Sequence, residues 1–272
     1  MDASLWNGAA GNTWVAAQDM LDRMYQPIEN LIVQAIPAEA RRVLDVGCGT
    51  GSIVHAIARR LGPDGHCTGI DVSAPMLAAA AARGQPSNIR YILDDAQQHV
   101  FEAASFDAIV SRFGLMFFDD PVAAFRNLRQ AARERATLHA IVWRSPEENP
   151  FMTAAERSAA DLLPGLPVRR PDEPGQFGLA NRQRLHAILE QSGWRDIDIA
   201  PLDVVCSFPK NRLYQYLTQL GPVGRALQTA DEHTRQQVAQ AVRAGFEPYV
   251  HGDEVGFTAA CWHISARNIQ VD

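Results

Sequence analysis

The chain has almost no lysine: Lys210 is the only one among 25 basic residues, and the arginines that make up the rest form no run. Arginine pairs at 41–42, 59–60 and 169–170 stand isolated, and 31 acidic residues bring the formal charge to −6. The stripe of positive charge that neutralises nucleic-acid phosphates is therefore missing, and no nucleic-acid partner is expected. No apolar stretch approaches the ~20 residues that span a bilayer. The opening residues, Met1-Asp2-Ala3-Ser4-Leu5-Trp6-Asn7-Gly8, carry neither a basic start nor a hydrophobic segment, so the expectation is a cytoplasmic protein without a secretion signal. Cysteine is scarce too. Cys48, Cys67, Cys206 and Cys261 lie far apart, with no C-x-x-C pair and no histidine at ligand spacing, so free thiols are expected and no metal site. Internal repeats and low-complexity segments are absent.

What is present fits an ordinary globular chain: 272 residues, 47% hydrophobic and 21% charged. That length buries roughly three quarters of the unfolded surface in one domain without staples. Short β-branched runs predict strands at 42–46, 66–70, 89–93, 106–111 and 136–143, with helices at 51–61, 75–83 and 121–134 between them, the signature of an α/β fold. Ser73 with Pro75 and Asp120 with Pro121 are helix starts. Near-continuous apolar strands such as Ala140-Ile141-Val142-Trp143 suit a parallel sheet covered on both faces.

Outside that core, the first 36 residues read as helix, with Trp14, Ala17, Leu21, Met24 and Ile28 in one apolar stripe interrupted by Pro27 and Pro37. The expected organisation is an N-terminal helical lid (1–40), a ligand-binding core (41–144), a proline- and glycine-rich cap insertion (145–180), and a C-terminal part of the sheet (181–272). That last part begins with a helix from Asn181 to Gly193 and continues with a strand at 195–207, a helical pair within 210–250 and a final strand at 255–265.

The strongest motif is Val43-Leu44-Asp45-Val46-Gly47-Cys48-Gly49-Thr50-Gly51, a strand running into a glycine-rich turn and then a helix. Glycines there permit positive φ and let backbone approach a ligand. A dinucleotide turn, G-x-G-x-x-G, would need glycine at 52, where this chain has serine. Asp45 would repel a pyrophosphate but attract a cation, and S-adenosylmethionine carries a sulfonium and an ammonium. The second strand ends in Asp71, placed to accept both ribose hydroxyls, and is followed by Val72, with Met76 a turn into the next helix. The third ends in Asp94-Asp95-Ala96, where Asp95 can accept from an adenine amino group and the next amide can donate to the ring. The fourth runs out through Ser111, Arg112 and Phe113.

From 43 to 118 the sequence resembles the class I S-adenosylmethionine-dependent methyltransferases, in particular the branch similar to the ubiquinone and menaquinone biosynthesis methyltransferases. Residues 259–267 look like that branch's closing strand. The resemblance implies a Rossmann-like, seven-stranded, mostly parallel sheet with helices on both faces and the last strand antiparallel, plus helical cap segments. It implies S-adenosylmethionine as cofactor, S-adenosylhomocysteine as product, and cofactor contacts from Asp45, Gly47, Cys48, Gly49, Gly51, Asp71, Val72, Met76, Asp95, Ala96, Ser111, Arg112 and Phe113. The chain departs from the family where a proline-glycine-glycine turn usually precedes the fifth strand: it reads Ala132-Arg133-Glu134-Arg135-Ala136.

Methyl transfer from a sulfonium is an in-line displacement, served chiefly by alignment in a dry pocket, and a base is needed only for a poorly ionised acceptor. His139, Glu147 and Asn149 are the catalytic candidates. His139, mid-strand, and His251 and His263 read equally as core or cap histidines. Trp6, Trp14, Phe117, Asn149 and Tyr214 are candidates for acceptor contacts, and Phe151, Phe177, Tyr216 and Leu217 are further candidates for the wall of an apolar pocket. The expected activity is methylation of a small organic acceptor, aromatic, quinone-like or of natural-product type. A cofactor-binding protein without turnover and a nicotinamide-dependent oxidoreductase are the alternatives. The oligomeric state is not encoded in any feature of the sequence.

Overall fold

The computed structural model describes residues 3–84 and 86–270; residues 1 and 2 of the predicted N-terminal helix lie outside them. The chain opens with three helices, α1 (Ala3–Asn7), α2 (Ala9–Ala16) and α3 (Gln18–Ala35), separated at Gly8 and Ala17. Pro27 does not interrupt α3 as the sequence suggested. It lies on the exposed face, beside the exposed Arg23, whose carbonyl it leaves without an intrahelical donor. The opposite face buries Leu21, Met24, Ile28 and Ile32 against the sheet.

The core then alternates strand and helix: β1 (Arg42–Val46), α4 (Ser52–Leu61), β2 (His66–Asp71), α5 (Ala74–Ala82), β3 (Ile89–Leu93), β4 (Phe106–Arg112), α6 (Pro121–Ala131) and β5 (Ala132–Trp143). Ser73 and Asp120 cap α5 and α6 as their sequences predict, accepting from the amides of Met76 and Ala123. In place of a proline-glycine-glycine turn, α6 passes directly into β5, and the mismatch is absorbed by a register shift opposite β4 and by Arg135 at φ 63°. The rest comprises α7 (Pro150–Ala159), α8 (Arg182–Gln191), β6 (Arg195–Pro209), α9 (Leu213–Gln219), α10 (Gly221–Leu227), α11 (Glu232–Phe246), β7 (Val250–His251) and β8 (Glu254–Arg267). The expected helical pair is thus three helices, because Pro222 starts a new one at the end of α9.

The sheet runs β3-β2-β1-β4-β5-β8-β6, with β8 antiparallel to both neighbours and the other long strands parallel. It has eight strands, not the expected seven. The extra strand, β7, is two residues long and forms a hairpin onto the start of β8 around Gly252 at φ 61°. Strand order reverses direction between β1 and β4, so a crevice opens at their C-terminal ends, where ligands of open α/β sheets bind.

Candidate functional site

The crevice is shaped by backbone before any side chain reaches it. Gly47 leaves β1 at φ 70°, and a Cβ there would sit 2.7 Å from the Gly114 Cα, so the turns after β1 and β4 touch. The amides of Gly47 and Cys48 both donate to the Ile70 carbonyl, at 2.9 and 3.2 Å, tying the turn to β2. Gly51 N-caps α4, and a Cβ on it would press on the Tyr91 hydroxyl and Ala80. Ser111 Oγ donates to the Val46 carbonyl at 2.7 Å and accepts from the Gly114 amide at 3.2 Å, which fixes the two strand ends together. Phe113 adopts φ 63°, unusual for an aromatic residue, and stacks on Trp143 at 4.5 Å.

Carboxylates collect at this end. Asp71 accepts the Gly49 amide on one oxygen at 2.8 Å and the Ser73 amide on the other at 2.9 Å, leaving one lone pair on each free for a ligand. Burial raises its pKa, while those amides pull the other way. Asp95 accepts from the Gln97 amide, and Asp94 is held below the ordinary carboxylate range by its hydrogen bond from His99. Beneath the turn, Asp45 is buried with neither oxygen hydrogen-bonded among the described residues. Burial raises it to about 8; Arg112 opposes that rise, and Asp71 and Glu29 reinforce it. Arg112 Nη1 is likewise buried without a partner, and its guanidinium lies 5.5 Å from the centre of the Tyr25 ring. An orphaned buried carboxyl and an orphaned guanidinium nitrogen beside a glycine cradle fit a ligand that carries both donors and acceptors at one end, as the amino-acid portion of S-adenosylmethionine does.

From here a single cavity of about 690 Å³ extends under three segments remote in sequence. Val46, Gly47, Cys48, Gly49, Asp71, Val72, Met76, Asp95, Ala96, Arg112 and Phe113 line its lower part. Trp6, Trp14 and Phe117 close one side, the Trp6 ring edge-on to the other two at 6.0 and 5.5 Å. Asn7 holds that side shut: its side chain donates to the Val72 carbonyl and accepts from the Ala74 amide, both at 2.8 Å. Phe151, Phe177 and Tyr216 line the cap, whereas Leu217 packs into the core behind it.

Several residues singled out from the sequence lie elsewhere. Gly51 and Ser111 brace the turn and Asp45 lies buried beneath it, none of them facing the cavity. His139 sits four residues below Trp143 on β5, roughly 13 Å from the ligand edge at the usual rise per residue. It stacks on His263 at 5.8 Å, and burial lowers it to about 4, so it is a neutral sheet histidine. Glu147 is exposed in the turn after β5. Asn149 is committed to structure: its side chain brackets Ala260, donating to the carbonyl at 2.9 Å and accepting from the amide at 3.0 Å, which pins that turn to β8. Tyr214 is 70% exposed, because residues two apart on α9 face opposite ways and Tyr216 takes the inward position. Sequence reasoning missed Tyr25, Trp143, Met152, Glu156, Arg169 and Arg225, all of which line the cavity. Tyr25 lay one residue beside the apolar stripe of its helix, and nothing local marked the others.

A methyltransferase-domain family model matches residues 43–135. The demethylmenaquinone methyltransferase of Roseiflexus castenholzii is 32% identical over 180 residues, 61% of this chain and 73% of that protein. The nocamycin O-methyltransferase of Saccharothrix syringae is 32% identical over 110 residues, 39% of each chain. Among solved structures, Haemonchus contortus phosphoethanolamine N-methyltransferase 2 with phosphomonomethylethanolamine and S-adenosylhomocysteine superposes with TM-score 0.59 at 16% identity. That match covers 99% of this chain and 59% of that one, a likeness of fold. Among the described residues no helix is long and apolar enough to cross a membrane, and no three His, Cys, Asp or Glu side chains converge to hold a metal.

Proposed function

The chain belongs to the S-adenosylmethionine-dependent methyltransferases, and on that premise we propose that it methylates a small, flat, largely apolar acceptor in the cytoplasm, aromatic, quinone-like or of natural-product type. The observation that carries this reading is the continuity of the cavity: the glycine turn and the aromatic cap line one space rather than two. An enzyme acting on a polymer can leave the sheet edge open, whereas a small acceptor needs walls. The names of the relatives point the same way, since one acts on a quinone precursor and another on a natural product.

When bound, S-adenosylmethionine supplies an electrophilic methyl group on a cationic sulfur. The chain's own residues hold and align. Asp71 would take the ribose hydroxyls on its two free lone pairs, Asp95 and the Ala96 amide would read the adenine edge, and Arg112 would hold the carboxylate of the amino-acid end beside the 47–49 turn, whose own amides are engaged by Ile70 and Asp71. Phe113 and Trp143, stacked at 4.5 Å, form the apolar step between the two halves of the cavity. Tyr25 stands beside them, its ring 5.3 Å from Phe113, and burial keeps its pKa well above the ordinary value. At neutral pH it is a hydrogen-bond donor to the acceptor rather than a base. Exclusion of water and alignment supply most of the rate, and no general base is assigned. The nicotinamide alternative is set aside by the family. The test is transfer of a labelled methyl group to panels of quinols, phenols, amines and carboxylic acids, to bulk protein and to nucleic acid. Label is expected in a small molecule; label found only in polymer overturns the reading.

A further inference from the structure

Charge is distributed unevenly along the cavity. Asp71, Asp94, Asp95 and Asp119 face the lower part, against Arg112 alone. In the cap the sign inverts: Arg169, Arg170 and Arg225 line it against Glu156 and Glu173. Two of these cations are already matched. Arg169 grips Glu156 with two nitrogens at 2.9 and 2.5 Å, reaches Gln176 at 3.3 Å and lies 4.9 Å from the centre of the Phe177 ring. Arg170 pairs with Glu173 at 3.2 Å. The Arg225 side chain, on α10, has no hydrogen bond or ion pair among the described residues, although it lines the chamber beside Val223 and Leu220. Burial lowers its pKa and Glu156 opposes that, so the guanidinium is partly stripped of water without a direct partner in return.

We propose that Arg225 binds a carboxylate on the acceptor, at the end remote from the methylated atom, so that the substrate class is a flat apolar acid rather than a neutral ring. The planar fork of a guanidinium matches a carboxylate with two parallel hydrogen bonds, and the apolar walls leave the rest of the molecule unpolarised. Arg169 cannot serve, since Glu156 occupies it. The proposal rests on the small-acceptor reading above and deepens it.

The test uses the full chain saturated with S-adenosylhomocysteine and two probes of one shape, 2-naphthoate and 2-naphthamide, titrated by calorimetry. Wild type is expected to bind the naphthoate at least about ten-fold more tightly, the usual worth of a charge-assisted hydrogen bond. Arg225→Met is expected to erase that preference while leaving naphthamide affinity within about two-fold, and Arg225→Lys to restore part of it. Equal affinity for both probes in wild type, or a preference that survives Arg225→Met with S-adenosylhomocysteine binding intact, overturns the carboxylate assignment alone. Binding of neither probe to the S-adenosylhomocysteine complex overturns the enclosed acceptor chamber as well.

Discussion

The two ends of the cavity are made in different ways. The lower end is built from consecutive strand termini, β1 through β4, and its shape is backbone: glycines at positive φ, amides shared with the Ile70 carbonyl and the Asp71 carboxylate, two turns in contact. The cap end is built from side chains on segments that meet only in space, α1 to α3, the 150–178 stretch, and α9 with α10. The difference separates two kinds of recognition. A ligand shared by a whole family can be read by backbone, which any sequence with the right glycines supplies. On the proposed reading the acceptor is met by side chains, Tyr25, Trp143, Phe151, Tyr216 and Arg225, of which only Trp143 belongs to the sheet.

The sharpest break of that comparison is Gly47→Ala. A Cβ would fall 2.7 Å from the Gly114 backbone at φ 70°, so S-adenosylhomocysteine affinity is expected to drop by more than about 100-fold, measured by calorimetry on folded protein. Next is Asp71→Ala, which removes the proposed acceptor for both ribose hydroxyls and the anchor of the Gly49 amide. A loss of roughly 1.5–3 kcal/mol, or about 10- to 150-fold in affinity, is expected. At the border between the ends, Tyr25→Phe should lower kcat by about ten-fold while leaving S-adenosylhomocysteine binding within two-fold, a split that separates acceptor positioning from cofactor binding. Within the cap, Tyr216→Ala should raise KM for the acceptor severalfold, whereas Tyr214→Ala, on the exposed side of α9, should change neither constant.

The pH dependence of stability sharpens the picture of the lower end. Asp45 is raised to about 8 in the folded chain, so it stays protonated through a range in which the unfolded carboxylate is ionised. The unfolded state then binds fewer protons, and stability falls as pH rises from roughly 4 to 8. Asp45→Asn should flatten that fall, checked by urea denaturation at pH 5 and pH 8. Cofactor binding, which brings a positive charge near Asp45, should release protons over the same range, seen as a buffer-dependent heat of binding.

This division also explains what could be read from the sequence. The glycine turn, the caps Ser73 and Asp120 and the placement of Asp71 and Asp95 at the cavity were legible because each is a local pattern tied to a strand end or a helix start. His139 is the core histidine that its mid-strand place suggested, whereas the sequence did not show that the Asn149 amide is spent on Ala260. Tyr214 was preferred for the site although both tyrosines stood in the cap, since nothing local shows which face of a short helix turns inward. Arg225 left no trace at all: its significance depends on Glu156 being taken by Arg169, and that pair forms only once the chain between residues 156 and 169 folds back on itself.

The most direct test of the account is a crystal structure with S-adenosylhomocysteine. The account predicts the ribose on Asp71, the adenine at Asp95 and Ala96, the amino-acid end at Gly47 to Gly49 and Arg112, and the thioether sulfur facing Tyr25 and Trp143 across an open cap chamber. Density for the nucleoside in the cap, among Phe151, Tyr216 and Arg225, would contradict it.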